Sequence, residues 1–117
     1  MIYTVTISPA IDYVVHLDRL QKGATNRSTG EEYFLGGKGI KILKELGLKS
    51  IVLGFVNGFT GKALENGLHQ GEIKTDFIYP KQGITRINVK IKAGEETEIN
   101  GQGTIADESD LKMLYDK

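Results

Sequence analysis

Gly36-Gly37-Lys38-Gly39-Ile40-Lys41-Ile42-Leu43-Lys44-Glu45-Leu46-Gly47, followed after Leu48-Lys49 by Ser50-Ile51-Val52-Leu53-Gly54-Phe55-Val56, decides the fold class. The first half is a glycine turn that opens a helix. Ile42, Leu43 and Leu46 fall on one side at helical spacing over about Gly39 to Leu46, and Gly47 is a good C-terminal cap. The second half is an unbroken apolar run, the pattern of a strand buried on both faces. A second helix is expected from about Thr60 to His69, with Ala63, Leu64 and Leu68 inward.

Working outward, Ile2-Tyr3-Thr4-Val5-Thr6-Ile7 is β-branched and apolar on both faces, so it too reads as a strand buried on both sides, ended by Ser8-Pro9. A third short strand fits Asp76 to Tyr79. Strands alternating with helices make a parallel sheet.

Three other segments follow a different period. Ile11 to Leu17 alternates, with Ile11, Tyr13, Val15 and Leu17 opposite Asp12, Val14 and His16. Arg27 to Phe34 reads as another exposed strand. Thr85 to Lys92 places Ile87, Val89 and Ile91 on one face and Arg86, Asn88, Lys90 and Lys92 on the other. It joins Glu95 to Ile99 through Ala93-Gly94, which suits a two-residue hairpin. These form an antiparallel sheet of strands at about 11–17, 27–34, 85–92 and 95–100, inserted into a parallel α/β part at about 2–7, 37–79 and 107–117. Asp107 caps a last helix with Leu111, Leu114 and Tyr115 on its apolar side. Three parallel strands and a few short helices do not cover both faces of such a sheet, so the expectation is a single partial domain over residues 1–117.

Composition narrows the function classes. The chain has 117 residues, 15 Lys+Arg against 15 Asp+Glu, and no cysteine. Thiol catalysis, disulfides and cysteine zinc sites are excluded, and zero net charge gives no general attraction to nucleic acid or an anionic membrane. The apolar runs are far too short to span a bilayer and the N-terminus lacks the basic start of a signal peptide, so a cytoplasmic protein is expected.

Few residues stand out for chemistry. Gly36-Gly37-Lys38-Gly39 offers open backbone N–H groups, a helix N-terminus and an ammonium group, all suited to an anion, yet it is not a Walker A loop and taken alone serves equally as a flexible turn. The Arg86 guanidinium fork suits a phosphate, though a solvated sheet face also accounts for it. Asp12 can accept hydrogen bonds from two neighbouring sugar hydroxyls, and turn or capping aspartates are commoner. His16 and His69 lack metal or triad spacing, and Glu95, Glu96 and Glu98 suit a solvated edge that discourages aggregation.

The motifs taken in order carry more than any one of them. Thr4-Val5-Thr6-Ile7-Ser8-Pro9-Ala10-Ile11-Asp12, Gly36-Gly37-Lys38-Gly39-Ile40, Gly54-Phe55-Val56-Asn57-Gly58-Phe59-Thr60-Gly61, Thr85-Arg86-Ile87-Asn88-Val89-Lys90 and Glu96-Thr97-Glu98-Ile99-Asn100-Gly101-Gln102-Gly103 resemble the N-terminal third of ribokinase-like, PfkB-type sugar kinases. The last two runs resemble the bacterial 1-phosphofructokinase branch more than the tagatose-6-phosphate kinases. The resemblance implies a ribokinase-like α/β core with a small β lid, transfer of the ATP γ-phosphoryl group to fructose 1-phosphate with Mg, and a homodimer through the lid. It implies sugar-hydroxyl binding by Asp12, close backbone approach at Gly36 and Gly37, phosphate binding by Lys38 and Arg86, and lid roles for Arg27 and Asn88.

The chain departs from the family at Ser8 and Lys41, where Asn is usual. It also has no Gly-Asp dipeptide for the GAGD-type turn that carries the catalytic base, and no Asn with Glu three residues later. The chain alone is therefore expected to bind neither ATP nor Mg and to be inactive, with a non-catalytic sugar-phosphate-binding or dimerising lid module as the alternative.

Overall fold

The computed structural model describes residues 2–117, the side chain of Lys38 excepted. The apolar run is strand β4 (Ser50–Phe55), central in a parallel sheet between β1 (Ile2–Val5) and β5 (Lys74–Ile78). Helices α1 (Lys38–Leu46) and α2 (Gly58–Gln70) supply the crossovers. Ile40 of α1, Leu64 and Leu68 of α2, Val52 and Phe77 of the sheet, and Val56 just after β4 form one buried cluster. Helix α3 (Glu108–Tyr115) reaches the sheet through Lys117, whose Nζ lies 2.8 Å from Asp76 Oδ2. A reciprocal capping box holds its start: Asp110 N donates to Asp107 Oδ1 at 2.9 Å and Asp107 N to Asp110 Oδ2 at 2.9 Å.

The second sheet has the order β3-β2-β6-β7, with β2 (Ala10–His16), β3 (Gly30–Gly36), β6 (Arg86–Ala93) and β7 (Glu95–Ile99). It is mixed, not antiparallel, because its central pair β2 and β6 is parallel. Both strands leave the same end of the first sheet, β2 after β1 and β6 after β5, so they run outward together. β3 and β7 return beside them, antiparallel.

Several expectations are corrected. β1 is not buried on two faces: it is an edge strand whose only partner among the described residues is β4, and Tyr3, Val5 and Ile7 are about half exposed. Its Thr4 and Thr6 methyls face Gly39 and Gly37. On α1 the buried anchor is Ile40, while Ile42 and Leu46 point outward at 53% and 65% exposure. The helix buries Ile40 and half-buries Leu43, three residues apart on one face. On α2 the inward stripe is Thr60, Gly61, Leu64 and Leu68, which leaves Ala63 exposed. α3 exposes Leu111 and Tyr115, the latter at 88%, because it meets the sheet at one end only. β3 starts three residues later than expected. The turn of this connection lies at 22–24, and residues 27–29 lead into β3, with Thr29 N donating to His16 O at 2.8 Å and Ser28 Oγ to Glu31 Oε1 at 3.0 Å. The β6–β7 connection turns about Gly94 alone, with Ala93 paired to Glu95 and Gly94 at φ 81°.

Candidate functional site

Residues paired across neighbouring strands share a face of the sheet. Asp12 is paired with Phe34 on β3 and Asn88 on β6, and Ala10 with Gly36 and Arg86. Two adjacent rows therefore put Phe34, Asp12 and Asn88 beside Gly36 and Arg86, at the end of the sheet nearest the α/β core. The alternation that set Arg86 and Asn88 against Ile87 and Val89 is the local cause.

Asn88, only 8% exposed, is the hub. Its Nδ2 donates to Asp12 Oδ1 at 3.1 Å, and its Oδ1 accepts from Gly101 N at 3.2 Å. This fixes the Asp12 carboxylate and leaves Oδ2 to accept from other donors. Arg86 Nε is buried without a hydrogen-bond partner, and the guanidinium enters no ion pair among the described residues. A buried donor left unpaired is costly, so such an atom marks a place where a partner belongs.

Next to this row, Gly36 delivers the chain into α1. Its φ of 104° excludes most side chains, and an added Cβ would meet Ile40 Cδ1 at 2.8 Å. Gly37, the N-cap of α1, has no side chain to satisfy the first N–H groups, and no acidic residue occupies the first turn. α3 shows the contrast, closed by its own capping box. The bare N-terminus of α1 and the unpaired Arg86 together make this corner electropositive, which suits an anion.

Of the expected residues, the structure gathers Asp12, Gly36, Gly37, Arg86 and Asn88. The expectation for the Lys38 side chain lies outside the described residues. Arg27 is not gathered: it precedes Gly30, which pairs with His16 at the far end of the sheet, six residues or about 20 Å along β2 from Ala10. His16 pairs there with Glu32 at 2.7 Å, and His69 bonds Thr75 Oγ1 at 2.8 Å, both away from the site.

Sequence reasoning missed Gly101 and Gly103. A Cβ on Gly101 would lie 3.1 Å from Arg86 Cβ, and one on Gly103 would lie 3.1 Å from Ser8 Oγ and 3.8 Å from Arg86 Cδ. These glycines let the segment after β7 lie against the arginine stem. Two glycines closely spaced after a strand, where no further hairpin follows, were the available signal.

Known proteins place the fold. The pfkB family carbohydrate kinase model matches residues 2–116. The 1-phosphofructokinase of Bacillus subtilis is 45% identical over the whole chain, and a D-tagatose-1-phosphate kinase of Bacillus licheniformis is 41% identical. A Staphylococcus aureus protein assigned as a phosphofructokinase, 42% identical, superposes with a TM-score of 0.88 over 99% of this chain and 39% of that one. The chain spans 39% of the length of the two curated relatives. The fold is the ribokinase-like α/β core with an inserted small sheet, and the chain belongs to the pfkB family of carbohydrate kinases.

Proposed function

We propose that this chain carries the sugar-phosphate side of a kinase acting on ketohexose 1-phosphates, fructose 1-phosphate first among them. Arg86, with the open backbone at Gly36 and Gly37 and the cation of Lys38, takes the phosphate; Asp12, held by Asn88, accepts from sugar hydroxyls. The buried, unpartnered Arg86 Nε beside the Asp12–Asn88 pair carries this reading. Fructose and tagatose differ in configuration at one carbon, and relatives named for each are similarly close, so the shared 1-phosphate is the group the site is expected to read.

Phosphoryl transfer in such kinases uses ATP and Mg to neutralise charge and position the transferred group. Asp12 is the one carboxylate in the two rows of the site, and the chain has no Gly-Asp dipeptide for the turn that carries the catalytic base in the family. The chain alone is therefore expected to bind sugar phosphate without turning it over. Calorimetric titration with fructose 1-phosphate tests this. Binding that Arg86→Ala weakens at least about tenfold, the loss of a charge-assisted hydrogen bond, supports it, and equal affinity in both proteins refutes it.

A second reading concerns assembly. On the opposite face of the four-stranded sheet, Tyr33, Tyr13, Val89 and Ile99 form one continuous row, with Tyr33 67% and Ile99 58% exposed. This apolar row favours contact with a second copy of the chain. Sedimentation equilibrium should show a dimer that Ile99→Lys dissociates, and a monomer at all concentrations would refute it.

A further inference from the structure

Thr85 precedes Arg86, is 1% exposed, and lies at the junction of the two sheets. The start of α2 grips it from three directions. Asn57 N donates to Thr85 Oγ1 at 3.0 Å, Thr85 N donates to Asn57 O at 3.0 Å, and Thr60 Oγ1 donates to Thr85 O at 2.7 Å. Asn57 Nδ2 adds a bond to Gly83 O at 2.8 Å. Asn57 is the N-cap of α2, yet its side chain caps nothing in its own helix and reaches across to this strand instead. Gly61 completes the close fit, since an added Cβ would stand 3.0 Å from Thr85 Oγ1.

The geometry points to Thr85 as a positioning residue for phosphate binding, acting through Arg86. The inference rests on the reading of Arg86 given above. The Arg86 backbone follows a residue whose N–H, carbonyl and hydroxyl are all bonded to the rigid start of a helix packed in the core. The guanidinium therefore leaves the core from a fixed point. Without that anchor this end of β6 is tied to the core only through β2 and, beyond it, β3, whose Ile11 and Leu35 pack against the core cluster. Asp12 and Asn88 lie wholly within the four-stranded sheet and keep their mutual geometry. What changes is the place of Arg86 relative to Gly37 and the start of α1, which belong to the core. A fixed site is what keeps binding tight without ordering cost.

The test compares Thr85→Val, which keeps the shape and removes the hydroxyl acceptor, with Thr85→Ser, which restores it. Two readouts are used: the affinity for fructose 1-phosphate by calorimetry, and hydrogen exchange of the Arg86 Nε–H in ¹H–¹⁵N spectra of the free protein. The expected result is about a tenfold loss of affinity in Thr85→Val, with faster Nε–H exchange, and recovery of both in Thr85→Ser. A folded Thr85→Val with wild-type affinity and unchanged Arg86 exchange overturns the inference. If wild type binds no fructose 1-phosphate but Thr85→Val still speeds Arg86 exchange, the sugar-phosphate reading falls and the anchoring of Arg86 stands. Should Thr85→Val not fold, Asn57→Ala, which removes only the bond to Gly83, takes its place: weaker binding with faster Arg86 exchange supports the anchor, and no change in either overturns it.

Discussion

Asn88→Asp is the most informative single change, because it keeps the shape of the hub and inverts one of its bonds. The acceptor for Gly101 N remains, but the donor to Asp12 becomes a second carboxylate oxygen where Nδ2 stood 3.1 Å from Oδ1. Two unit charges about 4 Å apart repel by about 4 kcal/mol at an effective dielectric of 20, an upper bound here because Asp12 is only half-buried. The lost charge-assisted bond adds about 1.5–3 kcal/mol. A net cost near 3–6 kcal/mol at neutral pH is a large part of the ~5–15 kcal/mol that holds an ordinary domain.

The sign with pH follows from the pair. Like charges push one carboxyl of the folded variant above its unfolded value of about 4, so the deficit is small below that value and opens as pH rises through the raised one. Urea denaturation of wild type, Asn88→Asp and Asn88→Ala across this range measures it. Asn88→Ala removes both bonds without adding charge, so its cost of about 2–4 kcal/mol should be flat with pH. A deficit for Asn88→Asp that is equally flat, or absent near neutrality, would refute the hub geometry.

Leu64 is fully buried at the centre of the core cluster, and Leu64→Ala should cost about 2–5 kcal/mol by thermal melting. Tyr79, whose hydroxyl donates to Glu65 Oε1 at 3.0 Å, is pushed up to about 12 by burial and by that carboxylate. Its contribution is complete below the ordinary tyrosine value of about 10 and is lost as pH rises toward 12, so tyrosinate absorbance should show a late phase that Glu65→Gln moves earlier. Asp107 is held below the usual carboxylate range by its bonds from Ser109 Oγ and Asp110 N. The α3 cap is therefore in place above about pH 4 and melts as pH falls through the lowered value, while Asp107→Ala should cost about 1 kcal/mol at neutral pH.

What the sequence disclosed and what it hid divide along physical lines. Ser50–Phe55 is legible as a strand because a continuous apolar run bounded by turn residues reads as a buried strand. The alternation through Arg86–Ala93 is legible because period two assigns faces without knowing the neighbours. Asp107 is legible because a cap is local. The exposure of β1 is not, since an apolar strand looks the same whether one or two neighbours cover it. The rotation of α1 onto Ile40 and away from Ile42 and Leu46 depends on what it packs against, which helical spacing alone does not supply. The parallel pairing of β2 with β6 follows from where two distant strands leave the core. At the site, the residues bearing charge were visible, whereas Gly101, Gly103 and Thr85 matter through close approach and backbone bonds, which only the tertiary fold creates.

The central claim is that the corner between Gly36, Asp12, Asn88, Arg86 and the segment at Gly101–Gly103 is where a ketohexose 1-phosphate binds. Amide chemical-shift mapping during titration with fructose 1-phosphate tests it most directly. The account predicts saturable shifts confined to Gly36, Gly37, Asn88, Gly101 and Gly103, absent in Arg86→Ala. No shifts, or shifts centred on the opposite face around Tyr33 and Ile99, would contradict it.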